Sequence, residues 1–186
     1  FARELDPGVA MAALAAEAES TPPGARGLVL LPYFSGERTP IHDPRAKGVL
    51  FGLDLSHSRA DIMRAVLEGI AYGTRHALEA FAEAGIPPRV IHAVGGGTKN
   101  KVWSQATSDV TGQTQVVREK TVGASYGDAF LAALAVGDVR RRDIAAWNPT
   151  ARHVAPDPAR RAVYDRGYRV FRGLYDSTKD LMRDDA

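Results

Sequence analysis

The segment with the plainest chemical potential is Ala93-Val94-Gly95-Gly96-Gly97-Thr98-Lys99-Asn100. An apolar run enters three consecutive glycines and leaves into a helical pattern. Glycine lacks a Cβ, so a ligand can come close to its backbone. The start of the next helix offers unpaired N–H groups and a positive dipole end to an anion. Asn100 and Gln105 carry amide groups suited to a base or a ribose. The expected cofactor-binding set is Gly95, Gly96, Gly97, Thr98 and Asn100. A tight strand-to-helix turn that holds no ligand is the plainer alternative.

Two nucleotide sites fit this turn. Gly95-x-Gly97-x-x-Asn100 has the spacing of a Rossmann fingerprint, and Glu119 follows about 20 residues later, where a ribose-binding acid would stand. Asn100 replaces the third glycine, which weakens that fit because the glycine permits close helix–strand packing. The other fit is an ATP site between two domains, with the turn gripping the adenosine end. A P-loop is excluded, since no G-x-x-x-x-G-K-[ST] occurs.

Two further segments stand out. Gly123-Ala124-Ser125-Tyr126-Gly127-Asp128-Ala129 starts a helix with small residues one turn apart, which permits close approach of another backbone. Asp128 there complements the helix dipole. Pro32-Tyr33-Phe34-Ser35-Gly36-Glu37-Arg38-Thr39-Pro40 opens a long loop with aromatic and charged residues, either functional or a solvated charge pair at Glu37-Arg38. The five histidines show no metal-ligand spacing, no G-x-S-x-G elbow is present, and the acids form no pair. No residue is assigned a catalytic or metal-binding role.

The elements around these segments alternate between strand and helix. Residues 8–19 are an alanine-rich helix, 27–32 a short strand, 35–47 a loop and 48–55 a second strand. A capping box at Ser58–Asp61 starts a long helix that Gly85 and Pro87-Pro88 end. Ile62, Val66, Ile70, Ala77 and Phe81 form its apolar stripe, with Met63, Leu67, Ala71 and Leu78 beside it. Gly69 and Gly73 each cost about 1 kcal/mol against alanine, so close packing is expected there. A strand over 89–94, a helix over 99–111, a strand over 115–118 and a helix over 124–136 follow. Such alternation predicts a parallel or mixed sheet covered by helices. Pro149–Pro156 reads as a linker, and Asp157-Pro158 as the N-cap and N1 proline of a last helix. Tyr164, Tyr168, Phe171 and Tyr175 give that helix an aromatic docking face.

With 45% hydrophobic and 25% charged residues the chain has an ordinary globular composition. A net charge of +2 with scattered arginines gives no basic face for nucleic acid. Cysteine is absent, which removes disulfides and thiolate metal sites. No apolar stretch is long enough for a bilayer, and the start, Phe1-Ala2-Arg3-Glu4, has no signal-peptide pattern. A cytoplasmic protein is expected. Because the chain opens on Phe1 and not on Met, a C-terminal piece of a longer protein is expected as well.

Taken together, Leu31–Leu53 (LPYFSGERTPIHDPRAKGVLFGL), Arg64–Gly73 (RAVLEGIAYG), Val94–Gln113 (VGGGTKNKVWSQATSDVTGQ) and Gly123–Gly137 (GASYGDAFLAALAVG) resemble the FGGY family of carbohydrate kinases, most closely its xylulokinases. The resemblance runs from about Gly27 to Gly137. It implies an α/β fold of the ribonuclease-H-like (actin-like ATPase) class, a mixed sheet flanked by helices, with a C-terminal helical extension. Residues 1–150 would be the C-terminal nucleotide-binding domain, and 151–186 a linker and helix packed on it. Gly95–Asn100 resembles the family's adenosine motif, with Gly96 and Asn100 at its nucleotide-contacting positions. Gly123–Gly127 resembles the second connecting motif, where two domains touch and hinge. ATP or ADP with Mg2+ is the implied cofactor, and the implied reaction is transfer of the γ-phosphate to a sugar hydroxyl, the 5-hydroxyl of D-xylulose for a xylulokinase. The catalytic aspartate and sugar pocket of the family lie upstream and have no match here, so the chain alone is expected to be inactive. Other FGGY sugar kinases and a Rossmann-type dinucleotide domain remain as alternatives, and a homodimer remains open as the assembly. Thr98 and Lys99 stand where related kinases often carry small or apolar residues.

Overall fold

A computed structural model describes residues 6–183. Phe1–Leu5, which hold the start searched for a signal peptide, lie outside the described residues. The elements are α1 (Pro7–Ser20), β1 (Val29–Leu31), β2 (Val49–Phe51), α2 (Arg59–Glu83), β3 (Ile91–Ala93), α3 (Lys101–Thr111), β4 (Gln115–Arg118), α4 (Ala124–Ala135), α5 (Ile144–Trp147), β5 (Thr150–Val154) and α6 (Arg161–Thr178). β1 and β2 form an antiparallel pair with Leu30 opposite Leu50. The second sheet is mixed: β4 lies between parallel β3 and antiparallel β5. α2 packs against α1, α3 and β1, while α6 packs against β1 and α3.

Local chemistry sets the ends of these helices. Ser58 Oγ accepts from the Asp61 N–H, and the Asp61 carboxylate accepts from Ser58 N at 2.8 Å, so the capping box closes in both directions. Burial opposes the Asp61 charge, but hydrogen bonds from Ser58 and Thr21 together with the nearby Arg26 charge outweigh it and hold the carboxyl below its usual range. Asn100 caps α3, and Asp157 Oδ1 accepts from Ala159 N ahead of α6 with Pro158 beside it.

Burial on α2 differs from the apolar stripe. Ile62, Val66 and Ile70 are only half-buried and Phe81 is 46% exposed. The deepest face carries Arg64, Ala65, Leu67, Glu68, Ala71 and Tyr72. Arg64 and Glu68 lie on this face although both are charged. They are buried because they pair with each other, Arg64 Nε donating to Glu68 Oε1 at 2.6 Å. Of the two glycines, only Gly69 meets the backbone of a neighbour. A Cβ there would lie 2.4 Å from the Leu30 carbonyl oxygen, whereas one on Gly73 would meet nothing within 4 Å. Gly69→Ala is therefore expected to cost about 1–3 kcal/mol through overpacking. Gly73→Ala should gain roughly 1 kcal/mol from helix propensity. Urea unfolding of the two variants checks the opposite signs.

The C-terminal segment corrects one expectation. Pro149–Pro156 holds β5 and is no linker, so an edge between residues 150 and 151 falls inside a strand. The Thr-Ala-Arg-His-Val run is almost wholly exposed and carries no apolar alternation. Only its pairing with β4, Val117 opposite Arg152, makes it a strand. α6 packs onto the same domain through its aromatic stripe. Tyr164 and Phe171 are fully buried and join Tyr33, Leu31, Tyr72 and Val110 in the main core. Tyr175, at the end of the same stripe, donates its hydroxyl to Asp43 Oδ2 at 2.8 Å and ties down the long loop.

Candidate functional site

The glycine turn leaves β3 and becomes one 3-10 turn, Gly96–Lys99, before α3 begins. Gly95 has φ 86° and ψ −178°, a conformation that side chains disfavour. A Cβ on Gly97 would lie 2.2 Å from the Trp103 ring, so this glycine lets the indole close under the turn. Nothing lies within 4 Å of where a Gly96 Cβ would stand, so that backbone faces open space. Gly95 N donates to Thr121 O at 2.8 Å, Thr98 N to Gly95 O at 3.2 Å and Asn100 N to Gly97 O at 3.0 Å. Gly96 and Gly97 come first in the turn, so their N–H groups have no partner inside it.

The five residues of the expected set thus sit together but do different work. The Thr98 hydroxyl is buried in the turn and donates to the Gly95 carbonyl at 2.8 Å. Asn100 Oδ1 accepts from Trp103 N at 3.0 Å and is spent on the cap, which leaves its Nδ2 as a remaining donor. Gln105, named for its amide, is taken up by Asp109 Oδ1 at 2.7 Å and Ala155 O at 2.9 Å. Lys99 is exposed.

The second small-residue segment borders the same region. A cleft of about 620 Å³ opens beside the turn, lined by His92, Val94, Lys120, Gly123, Tyr126 and Leu131 among others. Neither Gly123 nor Gly127 has an atom within 4 Å of its missing Cβ, so no close backbone packing occurs at them within this chain. Asp128 is exposed, and Phe130 is the buried residue of α4. The long loop proves to be ordered by its own polar groups. Glu37 Oε1 accepts from Arg38 N at 2.8 Å and Thr39 N at 3.0 Å, so the carboxylate folds the turn and does not pair with the Arg38 side chain. Sequence reasoning missed Arg152, whose guanidinium reaches the turn from β5. Nothing in its local pattern marks it.

Among the described residues no group of three or more His, Asp or Glu is placed to hold a metal ion. None of their helices is long and apolar enough to cross a membrane.

A mixed sheet flanked by helices, with a glycine turn leading from β3 into α3, defines an α/β domain of the actin-like ATPase class. The profile of the FGGY family of carbohydrate kinases, C-terminal domain, matches residues 3–136, and the chain belongs to that family. The xylulose kinase of Bacillus subtilis (strain 168) is 33% identical over 97% of this chain and 37% of its own length. The crystal structure of xylulose kinase from Rhodospirillum rubrum superposes with a TM-score of 0.83 at 37% identity, covering 95% of this chain and 36% of that one. The structure of Plasmodium falciparum glycerol kinase with ADP gives a TM-score of 0.72 at 25% identity, covering 88% of this chain and 33% of that one. The chain therefore spans little more than a third of the length of the curated relatives it matches. Family membership removes the Rossmann alternative. In keeping with this, Glu119 is exposed, and its N–H is held by the Pro149 carbonyl at 3.0 Å.

Proposed function

We propose that this chain is the adenosine-holding part of an ATP-dependent sugar kinase of xylulokinase type. The whole protein would transfer the γ-phosphate of MgATP to a sugar hydroxyl, the 5-hydroxyl of D-xylulose. The observation that carries the proposal is the open edge of the turn. There the Gly96 backbone faces open space, the Gly96 and Gly97 N–H groups come first in the turn, and the Asn100 cap, which uses Oδ1, leaves Nδ2 as a donor. These are donors for a ribose or base, aligned by α3 and steadied by Trp103 beneath. ATP supplies the phosphoryl group, and magnesium would come with its phosphates. This chain's own part is to bind and orient, which is most of what phosphoryl transfer asks of a protein. The sugar and the catalytic base would be held by the remainder of a longer kinase. Xylulose kinases, the gluconokinase of Bacillus licheniformis and a glycerol kinase share this domain, so sugar choice belongs to that remainder.

Asn100→Asp separates the two roles of Asn100. Aspartate caps a helix as well as asparagine does, so α3 keeps its stability. The remaining donor becomes an acceptor, and ADP affinity is expected to fall by roughly tenfold or more. Asn100→Ala loses the cap too, at about 1 kcal/mol. Isothermal titration with MgADP, paired with thermal melting, reads both effects. Unchanged ADP affinity in Asn100→Asp would remove Asn100 from the site, and no ADP binding by the unaltered chain would sink the proposal.

A further inference from the structure

Among the described residues the turn that faces the nucleotide is tethered from outside its own helix and loop at Gly95, whose N–H donates to Thr121 O at 2.8 Å, and at Thr98 by a side chain from β5. Arg152, on β5, donates its Nη2 to the Thr98 carbonyl at 2.6 Å. Thr98 is itself buried and bonded back to Gly95 through its hydroxyl and its N–H. A pull on the Thr98 carbonyl is thereby passed to Gly95 and to the Gly96–Gly97 N–H groups between them. β5 is anchored in turn by its antiparallel pairing with β4, where Arg152 stands opposite Val117. The guanidinium thus links a rigid sheet edge to a short 3-10 turn whose hydrogen bonds are weaker than those of a full helix. Arg152 has no carboxylate partner among the described ion pairs, unlike Arg160, which bridges Asp109 and Asp157. Its strong hydrogen bond goes to the turn. The family profile ends at residue 136, so the residue that reaches the turn lies beyond the matched domain.

We propose that Arg152 is a positioning residue for the nucleotide-binding turn. It fixes the aim of the Gly96 and Gly97 N–H groups without touching the nucleotide. The inference rests on the adenosine-binding role of the turn. Its effect is geometric, so losing it weakens every ligand that uses the turn, with or without phosphates.

The test uses Arg152→Gln and Arg152→Lys in the full chain, with adenosine and MgADP as separate probes. Arg152→Gln is expected to weaken both ligands to a similar extent, on the order of fivefold. The thermal midpoint should be unchanged, since the side chain is exposed. Arg152→Lys, which retains a charged donor, should restore most of the affinity. In the ligand-free protein, amide exchange at Thr98 and Asn100 should quicken in Arg152→Gln while Val116 and Val117 keep their protection. If only MgADP is weakened, Arg152 acts on the phosphates by charge, and the positioning role is overturned. Unchanged exchange at Thr98 and Asn100 overturns it as well. Should the unaltered chain bind neither ligand, the adenosine-binding role fails, and amide exchange still decides whether Arg152 holds the turn.

Discussion

Arg64→Met is expected to destabilise the domain by about 3–5 kcal/mol, the usual cost of stranding one partner of a buried ion pair. Arg64 and Glu68 have side chains only 7% and 1% exposed. Arg64 Nη2 also donates to Tyr164 Oη at 3.1 Å, and its Nη1 reaches the carbonyls of Ala18 and Thr21. Glu68 Oε1 accepts from Arg64, from Gly24 N at 3.0 Å and from Tyr164 Oη at 3.0 Å. One charged pair thus joins the end of α1, the entry to β1, the middle of α2 and the start of α6. Domains are commonly stable by only about 5–15 kcal/mol, so this loss would remove much of the margin.

The pH dependence of that variant has a definite sign. Burial pushes the Glu68 carboxyl above its usual range, and Arg64 opposes the shift. Without Arg64 the folded-state pKa rises further, while the unfolded value stays ordinary. The folded state then binds more protons than the unfolded state between those two values, so stability falls as pH rises through that window. Urea midpoints of Arg64→Met should therefore increase on acidification from neutral pH toward about 5. A midpoint that is lost on acidification over this range, or a cost below about 1 kcal/mol, would mean Glu68 is not left as an uncompensated buried charge.

Phe171→Ala is expected to cost about 3–5 kcal/mol by opening a cavity at the middle of the main core. The ring is fully buried, edge-on to Tyr33 at 6.1 Å, tilted on Tyr72 at 5.7 Å and stacked with Tyr168 at 6.1 Å. Val170, next to it and 37% exposed, serves as the control, and Val170→Ala should cost well under about 1 kcal/mol. Denaturant unfolding of both variants measures how α6 participates. A small loss at Phe171 would show that the last helix is dispensable to the core. A large one would make α6 as necessary to the domain as the helices inside the family profile.

The contrast between α6 and β5 separates what one segment dictates from what its neighbours dictate. The aromatic period of Tyr164, Tyr168, Phe171 and Tyr175 is written locally and needs a surface to dock on. It therefore predicted burial correctly. The same holds for the Ser58–Asp61 box, the Gly85 helix end and the glycine turn, because caps and turns depend on a few adjacent residues. The family could be read from Leu31–Leu53, Val94–Gln113 and Gly123–Gly137 for a related reason: each is a contiguous segment.

Whatever depends on partners distant in the chain was decided only in three dimensions. β5 is a strand because β4 lies alongside it. Arg64 and Glu68 are buried because Gly24 and Tyr164, dozens of residues away in either direction, complete their hydrogen bonds. Gly69 is required by the approach of Leu30, and Gly73 is not, although the two look equivalent in sequence. In the site itself, local sequence determined that Gly95, Gly96, Gly97, Thr98 and Asn100 form one turn. Near neighbours also divided their labour, Gly95 taking the Thr98 hydroxyl and Trp103 one end of the Asn100 amide. Tertiary structure brought Arg152 across from another strand. Hydrogen bonds are satisfied in space, and spacing along a chain reports only those whose partners are near in sequence.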